Sequence, residues 1–299
     1  MTPTIKQLKY LIALDEHLHF GKAAAACFIS QSAFSLAIKE LETTLDVHLV
    51  DRTNKSVMIT DAGSAIVRQA RLCINDVDTL VDIAKHGQEP LSGRLILGVI
   101  PTIAPYILPT FMPESRILFP KLKLFLREAR TSEIYEQLLE GKIDLMLVAL
   151  PFDLKNVTIM PLFKDPLLLA YAEGSQWLTG EKGDLNFESL PDESVLLLED
   201  GHCLREHALA ACHIRDADQI SRFAGTSLPT LLQMVVADIG VTLIPEMAKP
   251  SLVGEGSSLR FQVIPGKSTR EIGLVWRKGS HRSEEFTQIG ELLQGLFPH

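Results

Sequence analysis

The chain has 299 residues, of which 46% are hydrophobic and 22% charged, with a formal net charge of −8. This length and composition fit a soluble protein of about two domains with a large core. No apolar run reaches the ~18 residues of a membrane span, and the N-terminus lacks a signal-peptide core, so we expect a cytosolic protein without membrane contact.

The negative charge is unevenly spread. Residues 1–60 hold 6 basic and 6 acidic groups, whereas the remaining residues hold 23 basic and 31 acidic groups. A neutral N-terminal unit on an acidic body is compatible with nucleic-acid binding through a few placed cations. It argues against electrostatic binding by the whole surface.

The first sixty residues predict three helices and a two-stranded wing. Apolar residues recur at helical spacing from Ile5, and Gly21–Cys27 predicts a short second helix. Ser30 is a good N-cap for a third helix over about Gln31–Leu45. Residues 49–60 then predict two strands around a basic turn. Two helices joined by a tight turn and followed by a wing form a winged helix-turn-helix.

Short polar and cationic side chains lie on the predicted exposed side of the third helix and on the wing. Glutamine can read base edges, while hydroxyls and cations can hold phosphates. The predicted DNA-binding residues are Ser30, Gln31, Ser32, Ser35, Lys39, Arg52 and Lys55. Composition alone also allows any small helical domain with a solvated polar face.

A longer set of residues carries a family resemblance: Ala23, Ala24, Ser30, Gln31, Ser35, Ile38, Lys39, Leu41, Glu42, Leu45, Val47, Leu49, Arg52, Thr60, Ala62 and Gly63. This string resembles the winged helix-turn-helix of the LysR-type transcriptional regulators. The resemblance implies binding to double-stranded DNA at pseudo-palindromic operators. The chain departs from the family at Ser32, Ala33, Asp46 and Lys55. Ala33 lacks a hydroxyl for a phosphate, so the base preference stays open.

A long helix is predicted from Asp61 to about Lys85, where Ile66, Ala70, Cys73, Val77, Leu80 and Ala84 form a heptad seam. Such a helix packs either on its own domain or against a second copy of the chain. The resemblance favours a dimer through this helix. It leaves dimer versus tetramer open, although tetramers are common in the family, and it allows contact with RNA polymerase. Cys27 and Cys73 are expected to be small buried core residues.

Alternating strand and helix patterns follow residues 87–93, which predict a hinge. They predict an α/β body with buried parallel strands and two lobes. This body resembles the type 2 periplasmic-binding-protein fold of LysR effector domains. We expect a DNA-binding domain at 1–60, a linker helix and hinge at 61–90, and a regulatory domain at 91–299. Within the latter, lobe I covers about 91–163 and 268–299, and lobe II about 164–267.

Cys203 and Cys212 lie nine residues apart, and His202 and Arg205 flank the first of them. Basic neighbours favour the thiolate, the form that attacks peroxides and disulfides. On a helix the two α-carbons would be about 13.5 Å apart on opposite faces, far beyond disulfide geometry. Bonding the two sulfurs would therefore require the segment to refold. In a cytosolic chain such a disulfide would be transient, catalytic or sensory.

Residues 196–205 with Cys212, together with 100–102, 128–131 and 226–228, resemble the hydrogen-peroxide-sensing branch of the LysR family. The resemblance implies that Cys203 is the peroxidatic cysteine, which becomes a sulfenic acid, and that Cys212 resolves it to a disulfide. The implied peroxide-pocket and thiolate-activating residues are Thr102, Thr131, Gly201, His202, Arg205, Thr226, Ser227 and Arg270.

Several of these residues have a plainer interpretation. Thr102, Thr131 and the Thr226–Ser227 pair each precede or open a predicted helix, where a hydroxyl also serves as an N-cap. The cysteines do not have CxxC spacing, and no second Cys/His pair completes a zinc site, so we expect neither a metal nor a cofactor. Two alternatives stay open: a LysR regulator that binds a small metabolite between the lobes, and a thiol peroxidase.

Overall fold

In the computed structural model, the described residues are 2–52, 57–86, 91–177, 190–191, 194–211, 224–252, 258–264 and 268–298. Their contacts divide the chain into two compact units. The first unit comprises residues 1–94 and 136–143, and the second comprises residues 95–135 and 144–299. Within the described ranges, no helix has the length and apolar character needed to cross a membrane.

The first unit begins with three short helices around a small core. These are α1 (Ile5–His17), α2 (Phe20–Ala26) and α3 (Gln31–Leu45). A capping box starts α1, because the Thr4 hydroxyl accepts from the Gln7 amide while the Gln7 side chain accepts from the Thr4 amide. The apolar positions of α3 predicted from spacing are those that pack into the core with α1 and α2. The predicted bounds of α3 are confirmed.

The wing consists of β1 (Val50–Arg52) and β2 (Val57–Ile59), which pair antiparallel with Val50 opposite Ile59. A carboxylate oxygen of Glu42 on α3 accepts from the amides of Leu49 and Val50 at 2.8 and 3.2 Å. These two hydrogen bonds fix the start of the wing against α3. The predicted tip residue Lys55 lies outside the described residues.

Helix α4 (Asp61–His86) follows the wing and runs over the length predicted from the heptad pattern. Arg71 on α4 donates to Glu16 and Asp15 of α1 at 2.8 and 3.1 Å, which ties the two helices together. Towards its C-terminal end α4 exposes Leu80, at 66%, and Val81. Cys27 and Cys73, expected to be small buried core residues, are only partly buried, and Cys27 packs against the core of the first unit.

The second unit is built on a mixed sheet. Its strands are β3 (Gly93–Val99), β4 (Leu122–Glu128), β5 (Leu145–Leu150), β6 (Val157–Ala172), β9 (Thr242–Pro245), β10 (Leu259–Val263) and β11 (Thr269–Arg277). They follow the order β10–β6–β11–β5–β3–β4, and β9 also pairs with β6. The two short strands β7 (Leu197–Leu198) and β8 (Ala224–Gly225) pair separately.

The helices of this part are α5 (Ala104–Leu118), α6 (Thr131–Leu139), α7 (Cys203–Ala211), α8 (Leu228–Val236), α9 (Lys249–Leu252) and α10 (Ser283–Leu296). A single turn of 3-10 helix, Glu246–Ala248, precedes α9. The α/β prediction is confirmed, and the bounds of β4 and α10 agree with those predicted.

Strand β6 carries the chain from one section of the sheet to the next. It pairs with β11 as far as Pro166, and from Leu167 onward it pairs with β9 and β10. The sequence predicted only the second part of this strand. Two further expectations are corrected: β11 runs antiparallel to β5 and β6, and most of β4 is exposed because it forms the edge of the sheet.

Candidate functional site

A fully buried arginine, Arg270, connects several segments of the second unit. Arg270 and Asp165 are cross-strand partners on β11 and β6, at the place where β6 stops pairing with β11. Arg270 Nε donates to Asp165 Oδ2 at 2.8 Å, and both side chains are almost completely buried, at 0% and 3% exposure. A charge so deeply buried is tolerated only because it is paired and hydrogen-bonded.

The rest of the guanidinium binds the loop after β3. Arg270 Nη1 donates to the Thr102 hydroxyl at 3.0 Å, and Nη2 donates to the Thr102 carbonyl at 2.9 Å. The second carboxylate oxygen of Asp165 accepts from the Met247 amide at 3.1 Å. These four residues, Thr102, Asp165, Met247 and Arg270, form what we call the arginine cluster. The cluster joins strands β6 and β11 to the turn after β3 and to the 3-10 turn before α9.

Thr131 lies near the end of β4, as Thr102 lies near the end of β3. The two ends are side by side, since the Ala129 amide donates to the Val99 carbonyl at 3.4 Å. Thr131 is 2% exposed, and its hydroxyl is buried without a hydrogen-bond partner among the described residues. A buried hydroxyl in this state is suited to bind a small polar ligand, because burying it unpaired is costly. It does not act as the N-cap of α6.

The segment before α7 is held by Arg130. Its Nη2 lies 3.2 Å from Glu199 Oε2. Gly201 has a φ of +89°, a backbone conformation that favours glycine, and a Cβ there would lie 3.2 Å from the Arg130 Cδ, so this side chain would have to shift slightly. His202 is buried beside this pair. Burial lowers the pKa of His202, the Arg130 charge lowers it further, and the carboxylates of Glu199 and Glu133 oppose both effects.

Cys203 is the first residue of α7 and is a free, buried cysteine. The helix then continues without interruption to Ala211. Nine helical residues place the α-carbons of its two ends about 12 Å apart. Cys212, the predicted partner, lies outside the described residues.

His207 stands one helical turn after Cys203, so the two side chains lie on the same face of α7. Its Nδ1 atom is buried without a hydrogen-bond partner among the described residues. The pKa of His207 is lowered to about 4 by burial and by the Arg270 charge, while a hydrogen bond to the Pro151 backbone opposes the shift. His207 is therefore neutral at pH 7 and lies within the electrostatic influence of Arg270.

The other predicted site residues have different surroundings. Arg205 Nε pairs with Asp200 at 2.9 Å, and its Nη1 donates to the Leu198 carbonyl at 3.1 Å. Its charge is thus partly neutralised by a carboxylate. Ser227 is the N-cap of α8, where its hydroxyl accepts from the Thr230 amide at 3.4 Å. Thr226 is exposed.

On the first unit, Gln31, Ser32 and Lys39 are exposed along α3. Ser30 caps this helix, since its hydroxyl accepts from the Ala33 amide at 3.3 Å. Arg52 reaches back from the wing and donates from Nη1 to the Ser35 hydroxyl at 2.8 Å. Its guanidinium carbon also lies 4.4 Å from the centre of the Phe20 ring, within cation–π range. Except for Lys55, the predicted DNA-binding residues thus share the α3–wing side.

Sequence reasoning missed Asp165, His207 and Arg130. A signal for Asp165 was present, because Phe163, Asp165 and Leu167 alternate along β6 and all three are buried. An acid on the buried face of a strand needs a cationic partner. His207 was detectable only as a residue four positions after a reactive-cysteine candidate. Nothing in the local sequence connected Arg130 with Glu199.

Comparisons with known proteins agree with this two-part architecture. Residues 5–64 match the bacterial regulatory helix-turn-helix protein, lysR family, and residues 88–297 match the LysR substrate binding domain. The DNA-binding transcriptional dual regulator OxyR of Escherichia coli K12 is 39% identical over 290 residues, which is 97% of this chain and 94% of that protein.

Two solved structures extend the likeness to the fold. A full-length cysteine-to-aspartate variant of Pseudomonas aeruginosa OxyR aligns with a TM-score of 0.80 at 28% identity, covering 98% of this chain and 95% of that one. A hydrogen-peroxide-bound cysteine variant of Corynebacterium glutamicum OxyR aligns with a TM-score of 0.65 at 32% identity, covering 99% and 93%.

The two matched models together span most of the chain, and the similarity to OxyR extends over nearly all of it. The predicted resemblance and the predicted combination of a winged helix-turn-helix with a LysR effector domain are confirmed. The chain belongs to the LysR family of helix-turn-helix transcriptional regulators, a family of DNA-binding regulators and not of enzymes.

Proposed function

We propose that this regulator senses hydrogen peroxide through Cys203. The observation that carries the proposal is a free, buried thiol at the first residue of α7. Attack on a peroxide is carried out by the thiolate form of a cysteine. Thr131 adds a buried hydroxyl that has no hydrogen-bond partner in the described part of the chain. The similarity to OxyR proteins, one of them solved with hydrogen peroxide bound, supports the same ligand.

The proposed chemistry has two steps. The Cys203 thiolate attacks one peroxide oxygen and breaks the O–O bond; the leaving hydroxide takes a proton and becomes water, and a sulfenic acid remains. The Cys212 thiol then attacks the sulfenic sulfur, forming the Cys203–Cys212 disulfide and releasing a second water. In balance, two thiols lose two electrons and two protons, and one peroxide becomes two waters.

The proposed disulfide requires α7 to unwind. Cys203 stands at the start of a continuous helix that reaches Ala211, and Cys212 is the next residue. Because a disulfide needs α-carbons at about 4.4–6.8 Å, the helical spacing must collapse. His207 lies on this helix, and the Arg270 charge acts on it. Unwinding α7 would therefore change the electrostatic surroundings of the arginine cluster, which holds the turns after β3 and before α9.

We also propose a homo-oligomer that brings two DNA-binding domains onto one pseudo-palindromic operator. The exposed Leu80 and Val81 on the heptad side of α4 support a dimer through this helix. The domain limits predicted from sequence (1–60, 61–90 and 91–299, with two lobes divided near 164 and 267) are retained in this proposal. The proposal also includes contact between this regulator and RNA polymerase. Analytical ultracentrifugation of the full chain tests the dimer and resolves tetramers.

The decisive experiment replaces Cys203 by serine. We expect Cys203→Ser to bind DNA like the wild type and to lose the peroxide-dependent change in its footprint completely. Cys27→Ala is the matched control, since Cys27 lies in the first unit, and it should keep the full response. Mass spectrometry after stoichiometric peroxide should show a 203–212 crosslink. A response that survives in Cys203→Ser, or a crosslink through Cys27 or Cys73, would refute the mechanism.

A further inference from the structure

The outward side of α3 carries an apolar residue at its centre. Phe34 and Ile38 are fully buried, and Leu36 lies two positions from each, about 200° around the helix from both. Leu36 is accordingly 58% exposed. Ala33, three residues before it on the same side, is exposed as well. An apolar strip therefore runs along the side of α3 that faces away from the core.

This strip lies among the residues assigned to DNA contact. Ser32 stands four positions before Leu36 and Lys39 three positions after it, so both are its neighbours on the helix surface. An isolated exposed leucine needs no special explanation on an ordinary surface. On the second helix of a helix-turn-helix it does, because this surface enters the major groove and loses its water there.

Two polar residues of the same face are already engaged inside the protein. The Ser30 hydroxyl accepts from the Ala33 amide, and the Ser35 hydroxyl accepts from Arg52 at 2.8 Å. These bonds fix the helix start and the wing in position. They also reduce the hydrogen-bonding capacity that the Ser30 and Ser35 hydroxyls have left for base edges. Recognition of the bases therefore depends more on the neighbouring residues.

The major groove presents one apolar group at the base edges, the 5-methyl group of thymine. Against any other base edge, a leucine would remove water from a polar group without replacing the hydrogen bond, which is costly. We propose that Leu36, together with Ala33, contacts a thymine methyl group in each half-site and so selects a T·A pair at that position. This inference rests on the DNA-binding role described above.

The test uses deoxyuridine, which differs from thymidine only by the missing methyl group. A high-affinity operator is first identified by genomic footprinting, and each thymine is then replaced by uracil in turn at fixed salt concentration. For the wild-type full chain we expect about fourfold weaker binding at one thymine of each half-site, the effect of one buried methyl group. For Leu36→Ala we expect the thymine and uracil operators to bind equally at that position.

Lys39→Ala is the matched control on the same helix face. A cation that contacts phosphate weakens binding uniformly, so this variant should bind both operators less tightly and keep the fourfold uracil effect. Where Leu36→Ala binds too weakly to measure, Leu36→Met should keep the uracil effect and Leu36→Gln should lose it. The inference is overturned if no thymine shows the effect, or if Leu36→Ala retains it. Absence of any specific operator binding by the wild type would instead refute the DNA-binding proposal.

Discussion

The α3–wing side of the first unit and the arginine cluster of the second are stabilised by hydrogen bonds between residues at very different separations along the chain. On the α3–wing side, Ser30 bonds a residue 3 positions away, and Arg52 bonds a residue 17 positions away. In the cluster, Arg270 bonds residues 105 and 168 positions away. The first site forms with its own helix and wing, whereas the second exists only once the sheet is complete.

Arg71 shows that the sequence separation of hydrogen-bonded residues does not by itself distinguish the two units. It joins α4 to α1 across 55 and 56 positions, and like Arg270 it binds carboxylates. Its partner Glu16 is about half exposed, whereas Asp165 is buried. Solvent can therefore hydrate the Glu16 carboxylate once its pair with Arg71 is broken, whereas the buried Asp165 carboxylate is shielded from solvent. The difference between the units is the burial of long-range charge, and this makes the second unit the more vulnerable to single substitutions.

The largest expected effect follows from breaking the buried pair. Arg270→Met leaves the Asp165 carboxylate buried and unpaired, which should lower the free energy of unfolding by about 3–5 kcal/mol. Both tryptophans, Trp177 and Trp276, belong to the second unit, so urea unfolding followed by tryptophan fluorescence reports on this unit.

Arg260→Met is the control for this prediction. Arg260 pairs with Glu173 at 2.7 Å on the surface, and loss of that pair should cost about 1 kcal/mol or less. The double variant Arg270→Met, Asp165→Leu should recover part of the lost stability, since the unpaired charge is gone. Equal losses for Arg270→Met and Arg260→Met would show that burial does not distinguish the two pairs.

The second effect concerns pH and should also be confined to the second unit. The pKa of His207 is about 4 in the folded protein, against an ordinary value of about 6.5 in the unfolded chain. The unfolded state therefore takes up the proton first. The stability that depends on neutral His207 is fully present above pH 6.5 and is lost as the pH falls towards 4. The loss amounts to at most about 3 kcal/mol.

His207→Gln should remove this part of the pH dependence while retaining a group that can donate to the Pro151 carbonyl. The measurement is the free energy of urea unfolding of the second unit at several pH values between 7 and 4. His17→Gln, which alters an exposed histidine of the first unit, should leave the wild-type pH profile unchanged. An unaltered profile in His207→Gln would mean that the ring is protonated or solvated in the folded state.

The same contrast explains how much the sequence predicted. Helix α3 was predicted with correct bounds because its N-cap and its buried positions lie within one short segment. The first part of β6 was missed because Pro161 and Pro166 interrupt it, and its pairing with β11 lies more than a hundred positions away. Long-range pairing leaves no periodic signal in a single segment.

The candidate site was predicted in part for the same reason. Thr102 and Thr131 were proposed for the site because each follows a predicted strand, and residues at strand ends meet at one edge of a sheet. Arg270 was found as a cation at a strand start, but its pairing with Asp165 required knowledge of the strand register. The predicted electrostatic role of Arg205 overlooked Asp200, which neutralises part of its charge.

The smallest expected effect concerns the start of α3, which is stabilised by a hydrogen bond between residues close in sequence. Ser30→Ala removes the hydroxyl that accepts from the Ala33 amide, which should destabilise the start of α3 by about 1 kcal/mol. Native-state hydrogen exchange of the Ala33 amide should then be about fivefold faster. Ser30→Gly should destabilise the start of α3 by only a few tenths of the ~1 kcal/mol expected for Ser30→Ala, because glycine is itself an acceptable N-cap. The tryptophan-detected unfolding of the second unit should be the same in both variants and the wild type. A change in the unfolding of the second unit would mean that the Ser30–Ala33 cap bond is coupled to the buried hydrogen bonds of the arginine cluster. The two regions would then have to be treated as one cooperative structure.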